Sequence, residues 1–337
     1  MAEPPLHGVR VVDLGWLTAG AATSTLLLDL GAEVVKVEGP GALDPFRNWV
    51  GADAHRDWWN ESPWFAFTNR GKSSVCLDLK DARGRAVMLA LLATADVLVE
   101  NYRRGVLATW GLDPASLRAR FPHLVIASIS SQGEDGPERD MVSFGSTLEA
   151  TSGLAALTGE ADGPPIISGR DVNYPDQVVC LFAAGAVVAA LMERDRTGQG
   201  SHLDLSQREL TAFLLGEELM AAAAGAPTPR GLPPGERIEG ETAHWVGGQA
   251  PIRDAASLSA APEFQAGTAV LRAPDGTPAK GIPFRFATRP LAVHDVCHGL
   301  GADNAAVLTR AGISPAEITA LEAAGILATR PRSGPTK

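Results

Sequence analysis

Three cysteines are too few and too scattered to organise a fold. Cys76, Cys180 and Cys297 are odd in number, form neither a disulfide framework nor a metal knuckle, and suit a reducing cytoplasm. Basic charge is in deficit: 29 Lys and Arg stand against 39 Asp and Glu, a net charge of −10. General nucleic-acid binding, which needs a basic surface, is not expected; a local basic pocket for an anion is compatible with this balance. The N-terminus "MAEPPLHGVRVVDLG" lacks the basic-then-apolar pattern of a secretory leader. The apolar run from Val178 to Met192 spans 15 residues, short of the about 20 that cross a bilayer. The expected compartment is the cytoplasm.

Familiar catalytic signatures are missing too. The turn "GWLTAG" (Gly15 to Gly20) does not have the G-x-G-x-x-G spacing that brings backbone against a pyrophosphate, which argues against a nicotinamide enzyme. "NRGKSS" contains Gly-Lys-Ser, but Ala66 stands where a P-loop needs its first glycine. The G-x-S-x-G elbow of α/β hydrolases is absent. His294, Cys297 and His298 in "HDVCHGL" fall within one short segment, yet no second cluster completes four metal ligands.

What is present is alternation. "VRVVDL" (Val9 to Leu14) reads as a strand, "AGAATSTLLLDLGA" (Ala19 to Ala32) as a helix and "EVVKVE" (Glu33 to Glu38) as a second strand, a β-α-β unit. The pattern recurs with a strand at Ser73, a helix from Asp81, a strand at Asp96, a helix over Asp113 to Phe121 and the strand "LVIASIS". It predicts an α/β, Rossmann-like fold: an open, mostly parallel sheet with helices on both faces. "SHLDLSQRELTAFLLGEELMAAAAG" adds a strand and a helix. "APTPRGLPPGERIEGETAHWVGGQAP" (Ala226 to Pro251), rich in Pro and Gly without hydrophobic period, reads as linker or long loop. "GTAVLRAPDG" and "GIPFRFA" read as strands. "SPAEITALEAAGIL" (Ser314 to Leu327) reads as a helix with a capping box, and the tail 328–337 as disorder.

One segment poses a chemical question. In "NYPDQVVCLFAAGAVVAALMERDRTGQG" a single carboxylate, Asp176, precedes an apolar run that reads as a helix buried on every side. Pro175 and Asp176 fall at its first turn, where proline is tolerated and an acid suits the exposed N–H groups. The local pattern is equally that of a helix cap and of a reactive carboxylate.

Longer stretches carry a resemblance. "GVRVVDLGWLTAGAATSTLLLDLGAEVVKVEGPG", "NRGKSSVCLDLKDARGRAVMLALLATADVLVENYRRGVLATWGLDPASLRARFPHLVIASIS", "SFGSTLEATSGLAALTG" and "YPDQVVCLFAAGAVVAALMERDRTGQGSHLDLSQ" together resemble the family III CoA transferases, the group of formyl-CoA and carnitine CoA transferases. The likeness runs from His7 to Ala222 and, more weakly, from Gly281 to Leu327. It implies a large Rossmann-like domain from both chain ends (1–222 and 281–327), a linker with a reduced small domain (223–280), and an interlocked dimer. It implies that Asp176 is the nucleophile that carries CoA as an aspartyl thioester between an acyl-CoA and a free acid. Leu17, Thr18, Lys72, Asn101, Tyr102, Arg103 and Arg104 are the implied CoA-binding residues; no metal or redox cofactor is implied. Thr109 and Trp110 stand where the family often has a basic residue, and the chain is short around Arg237 to Ile252. A partner subunit of a heteromeric transferase is the alternative. The related acyl-CoA racemases need a histidine in the segment that here reads "MVSFGSTLEA", which has Phe144 and none.

Overall fold

A computed structural model of the chain describes residues 3–49, 57–168, 173–231, 236–240, 242–245, 248–265, 270–272, 278–282, 284–287, 291, 294 and 296–332. In chain order its elements begin with β1 (Arg10–Asp13), α1 (Ala19–Asp29), β2 (Glu33–Glu38), α2 (Pro63–Asn69), β3 (Ser73–Cys76), α3 (Ala82–Ala93) and β4 (Val97–Glu100). Next come α4 (Val106–Thr109), α5 (Pro114–Arg120), β5 (Val125–Ser130), α6 (Gly145–Thr151), α7 (Leu154–Leu157), α8 (Tyr174–Thr197) and β6 (His202–Ser206). The remainder is α9 (Gln207–Phe213), α10 (Gly216–Ala223), β7 (Arg237–Glu239), β8 (Thr242–Trp245), β9 (Gly248–Pro251), α11 (Ala255–Ala260), α12 (Pro262–Gln265), β10 (Val270–Arg272), β11 (Pro278–Lys280), α13 (Asn304–Arg310) and α14 (Pro315–Ala323).

The chain divides into two compact units. One comprises Met1–Val142, Asp176–Ser206 and Arg285–Lys337, the other Ser143–Pro175 and Gln207–Phe284. The second unit therefore takes in Ser143–Pro175 and Gln207–Ala222, which the sequence reading gave to the large domain. The reason lies in packing: α6 lies against α7 and α9.

In the first unit six parallel strands line up in the order β3-β2-β1-β4-β5-β6. Strand parity separates two faces. Val12, Leu14, Val35, Val37, Leu98 and Ile126 pack with Val87, Met88 and Leu91 of α3, Leu117 of α5, Val307 and Leu308 of α13, and Ile318 and Leu321 of α14. α1 contacts β1, β2 and β4 and is buried along its whole length. Helix starts are set by side-chain caps that satisfy free N–H groups. Asp81 accepts from Arg83 N at 2.8 Å, Asp113 from Ser116 N at 2.9 Å and Ser314 from Glu317 N at 3.2 Å. Pro114 and Pro315 occupy first-turn positions that need no donor.

Several expectations are corrected. The span Ala226–Pro251 is not only linker, because β7, β8 and β9 form an antiparallel three-stranded sheet. Strands of three or four residues are too short to show alternation in sequence. β10 pairs antiparallel with β11, and the latter falls just ahead of "GIPFRFA". Ala328–Arg332, expected as disorder, is held in place. Ala328 N donates to Cys76 O at 3.2 Å, and Arg332 pairs with Asp78 at 2.5 Å. This segment covers the open edge at β3; residues 333–337 lie outside the described residues. Helix α13 had no counterpart in the sequence reading.

α8 departs most from expectation. It has 24 residues, with mean hydropathy 1.8 over its most apolar window, and half of that window is buried. By length and composition it is long enough to cross a membrane, contrary to the count of its apolar run alone. Nor is it buried on every side of this chain. Val179, Cys180, Ala183, Val187 and Leu191 are inside, while Leu181, Phe182 and Met192 are 52%, 38% and 70% exposed. Leu181, Gly185, Ala189 and Met192 recur at helical spacing and form one uncovered apolar stripe.

Beneath the sheet's upper edge, Arg47 is wholly buried against Glu38 of β2. Nε and Nη2 reach the carboxylate at 2.8 and 2.7 Å, Nη1 donates to Trp59 O at 2.7 Å, and the guanidinium lies 3.6 Å from the Phe65 ring centroid. Burial opposes ionisation of Glu38, yet Arg47 outweighs it and holds the carboxyl below its usual range. Removing one partner strands the other charge in apolar surroundings. Glu38→Ala is expected to lower the unfolding free energy by about 3–5 kcal/mol, read from urea denaturation midpoints and slopes.

Candidate functional site

The strand order places a switch point between β1 and β4: successive strands leave β1 in one direction and β4 in the other. Ligands of such sheets bind at the carboxyl ends of the strands beside that point. Two segments leave the sheet there, the turn from Gly15 to Thr18 after β1 and Asn101–Arg104 after β4. α8 is anchored at the opposite edge. It precedes β6, which runs parallel to β5, and Arg194 near its end pairs at 2.6 Å with Asp96, just before β4. Asp176 lies in the first turn, 18 residues earlier and about 27 Å along the helix axis, away from the amino end of β4 that Arg194 holds.

The turn after β1 is held at almost every backbone group. Asp13 Oδ1 accepts from Gly15 N at 2.7 Å. Asn101 grips Trp16 twice, accepting from its N–H at 2.6 Å and donating to its carbonyl at 3.0 Å. Lys36 Nζ donates to the Gly15 carbonyl. Both oxygens of Asp44 face Leu17 N at 3.2 Å. Gly15 and Gly20 meet so closely that a Cβ on Gly15 would lie 2.5 Å from the Gly20 backbone. Leu17 has φ +55°, the only positive φ outside glycine among the described residues. A left-handed leucine costs about 1–2 kcal/mol, and such strain persists only where surroundings fix it.

Those surroundings are a buried ionic cluster. Asp13, Asp44, Lys36 and Lys72 are each 1% exposed or less. Asp44 accepts from Lys36 at 3.1 Å and from Phe46 N at 3.0 Å. Burial works against the Lys36 ammonium, but Asp13, Asp44 and Glu38 outweigh it and raise its pKa. Burial likewise raises Asp44, opposed by Lys36. Lys72, expected to face CoA, spends its three donors inside, on Asp13 at 2.8 Å, Ala21 O at 2.7 Å and Asn69 Oδ1 at 2.9 Å. Burial, reinforced by Lys36, brings its pKa down to about 8 despite Asp13.

The other sequence-derived residues are spread over this edge. Thr18 is buried at the start of α1 and makes no side-chain cap bond. Tyr102 stands edge-on between Trp16, 5.2 Å away, and Trp110, 5.4 Å away; burial pushes its phenol pKa up. Trp16 Nε1 is buried without an acceptor among the described residues, a donor left for something beyond them. Arg103 is exposed. Arg104 lies 3.4 Å from Glu134 and 3.3 Å from Asp140. Asp176 is half-buried. Among the described residues no group of three or more His, Cys, Asp or Glu could hold a metal, and His298 instead pairs with Asp303 at 2.7 Å.

Sequence reasoning missed Asp13, Lys36, Asp44 and Glu100. A usable signal existed: "EVVKVE" and "VLVE" place charges in strands flanked on both sides, where every charge must be paired or neutral. Glu100, 6% exposed, accepts from Tyr102 N at 2.9 Å. Burial raises its pKa to about 7, against hydrogen bonds from Ser128 and Tyr102. Between the ordinary carboxyl pKa and about 7 the folded chain binds the extra proton, so this group's contribution falls as pH rises through that window. Glu100→Gln should therefore be more stable than the parent at pH 8, by up to about 3 kcal/mol. The difference should vanish near pH 4.5, the two urea profiles being compared at each pH.

Comparison with known proteins shows the family. The sequence model of CoA-transferase family III matches residues 6–244. A succinate–glutarate CoA-transferase of Agrobacterium fabrum is 36% identical over 223 residues, 65% of this chain and 54% of that protein. A succinyl-CoA–D-citramalate CoA-transferase of Chloroflexus aurantiacus is 40% identical over 201 residues, 60% of this chain and 48% of that one. The chain thus spans about half the length of these relatives. The crystal structure of a CAIB/BAIF family protein from Brucella suis superposes with TM-score 0.81 at 25% identity, covering 92% of this chain and all of that one. The chain belongs to CoA-transferase family III.

Proposed function

We propose that this chain transfers CoA from an acyl-CoA to a free carboxylic acid, with Asp176 as nucleophile. The observation that carries the reading is a carboxylate, Asp176, in the first turn of α8, the long helix that leads into β6 of the sheet whose switch point is flanked by the turn after β1 and the loop after β4. Family membership and the activities named for the relatives support it. Those relatives are named for succinate, glutarate and citramalate, so a short dicarboxylic acid is the acceptor class proposed first.

The chemistry is double displacement. The Asp176 carboxylate attacks the thioester carbonyl, forming a mixed anhydride and releasing CoA thiolate. The thiolate attacks the aspartyl carbonyl, giving an aspartyl-CoA thioester and freeing the donor acid, which leaves with one oxygen from Asp176. The acceptor carboxylate repeats the sequence in reverse. Covalent catalysis divides one difficult exchange into easier steps. Leu17, Thr18, Asn101 and Tyr102 border the acyl-CoA, and Arg103 and Arg104 supply positive charge for its phosphates. Lys72 serves from beneath, as the buried counter-charge of Asp13. Trp16 Nε1, buried without an acceptor among the described residues, supports a ligand at this edge.

The uncovered stripe on α8 supports an assembled form, either a homodimer or a heteromer with a longer relative. Residues 223–280, with their short strands, are the part of the second unit that this proposal reads as the reduced small domain, and the free cysteines fit the cytoplasm. Static light scattering at micromolar concentration should give at least twice the chain mass, and a stable, active monomer would exclude the interlocked form.

Asp176→Ala should abolish CoA exchange between succinyl-CoA and a panel of free acids, followed by mass spectrometry, while the circular dichroism spectrum is retained. A lost cap costs only about 1 kcal/mol, too little to unfold most domains. Exchange at the parent rate would remove Asp176 from the mechanism. Borohydride trapping in the presence of acyl-CoA should mark the peptide containing Asp176, not that containing Glu134.

A further inference from the structure

We propose that Asp44 is a positioning residue for acyl-CoA binding, acting by holding Leu17 in its left-handed conformation. The inference rests on the reading of the turn after β1 as part of the acyl-CoA site. Asp44 lies 27 residues beyond Leu17 and is wholly buried. Its two oxygens converge on Leu17 N at 3.2 Å each. The carboxylate is itself fixed from two other directions, by Lys36 Nζ at 3.1 Å and Phe46 N at 3.0 Å. Lys36 carries the constraint back to the turn through the Gly15 carbonyl.

This arrangement is costlier than a turn needs to be. Glycine would adopt a positive φ freely, and the chain has glycine at such angles in many other places. At position 17 it instead has a half-buried leucine in a conformation that Cβ disfavours, under a charged clamp. The clamp fixes the direction of the Leu17 side chain and of the Thr18 backbone at the switch-point edge. An acyl-CoA then meets a surface that does not have to be ordered on binding, which removes part of the entropic cost of association. Asp44 touches no reacting atom in this account; it acts through Leu17.

The test separates conformation from side-chain size. Leu17→Val keeps an apolar side chain but is β-branched, the type least able to adopt a positive φ. Leu17→Gly loses the side chain entirely but accepts the angle. Both leave the ionic cluster intact. If Asp44 works through the backbone angle, Leu17→Val should raise the KM for succinyl-CoA about five- to tenfold more than Leu17→Gly. kcat should stay within about threefold of the parent in both. Asp44→Asn should show the same rise in KM, and Leu17→Gly added to it should recover most of the loss. Amide exchange at Leu17 should be at least about tenfold faster in Asp44→Asn, because the charged acceptor is gone.

The opposite order, with Leu17→Gly worse than Leu17→Val, would overturn the proposal, since KM would then follow contact area alone. So would a folded Asp44→Asn with parental KM. If Asp44→Asn does not fold, the Leu17 pair still decides the question. If the parent chain neither binds CoA by calorimetry nor exchanges it, the functional reading fails. Slow Leu17 exchange in the parent would then mark the clamp as structural, and the proposal would fall separately.

Discussion

A charge placed in the middle of a sheet covered on both faces must find a partner inside. That constraint organises the first unit. Asp13 ends β1, Lys36 and Glu38 lie in β2, and Glu100 ends β4. None has water to turn to. Lys36 draws Asp13 and Asp44 towards it, Glu38 draws Arg47, and Glu100, whose burial outweighs the hydrogen bonds from Ser128 and Tyr102, holds its proton up to about pH 7. Hydrophobic strands alone would make the same sheet. The ionic groups are concentrated at its carboxyl ends, so the energy spent on burying them goes into shaping the turn that opens there.

The same logic explains why Lys72 is turned inward. Three acceptors surround its three donors, and moving it outward would strip Asp13 of its closest counter-charge. Positive charge for an anionic substrate has to come from elsewhere on the edge. Arg103 and Arg104 are exposed where Lys72 is not, although Arg104 already leans on Glu134 and Asp140. A chain of net charge −10 can thus carry a local cationic rim. Its strength falls with ionic strength, as it does for any exposed charge.

Alternation of apolar runs made the sheet legible, because parallel strands require crossovers and the crossovers here are amphipathic or buried helices. β2 was read to the residue, Glu33–Glu38. The cap residue Ser314 marked α14, and the helix read over Asp113 to Phe121 contains α5, Pro114–Arg120. The clamp on Leu17 was not legible. It joins residues 17, 36, 44 and 101, and no local period or spacing connects them. The β7–β9 sheet was hidden by strands too short to alternate, and the fixed segment Ala328–Arg332 by partners far away in sequence, Cys76 and Asp78. Asp176 stood out only as a carboxylate before an apolar helix; its pattern was equally that of a cap, and family resemblance, not periodicity, favoured chemistry.

The central claim is that one oxygen of Asp176 passes through the reaction. An acceptor acid labelled with heavy oxygen on both carboxyl positions tests it directly. In the double displacement the acceptor attacks the aspartyl thioester with one labelled oxygen, and collapse of the second anhydride leaves that oxygen on the enzyme. After a single turnover with succinyl-CoA and labelled acid, the peptide containing Asp176 should gain one heavy oxygen, and the acyl-CoA product should retain the other. Product formed with no label in that peptide, or with the label on another carboxylate, would contradict the account.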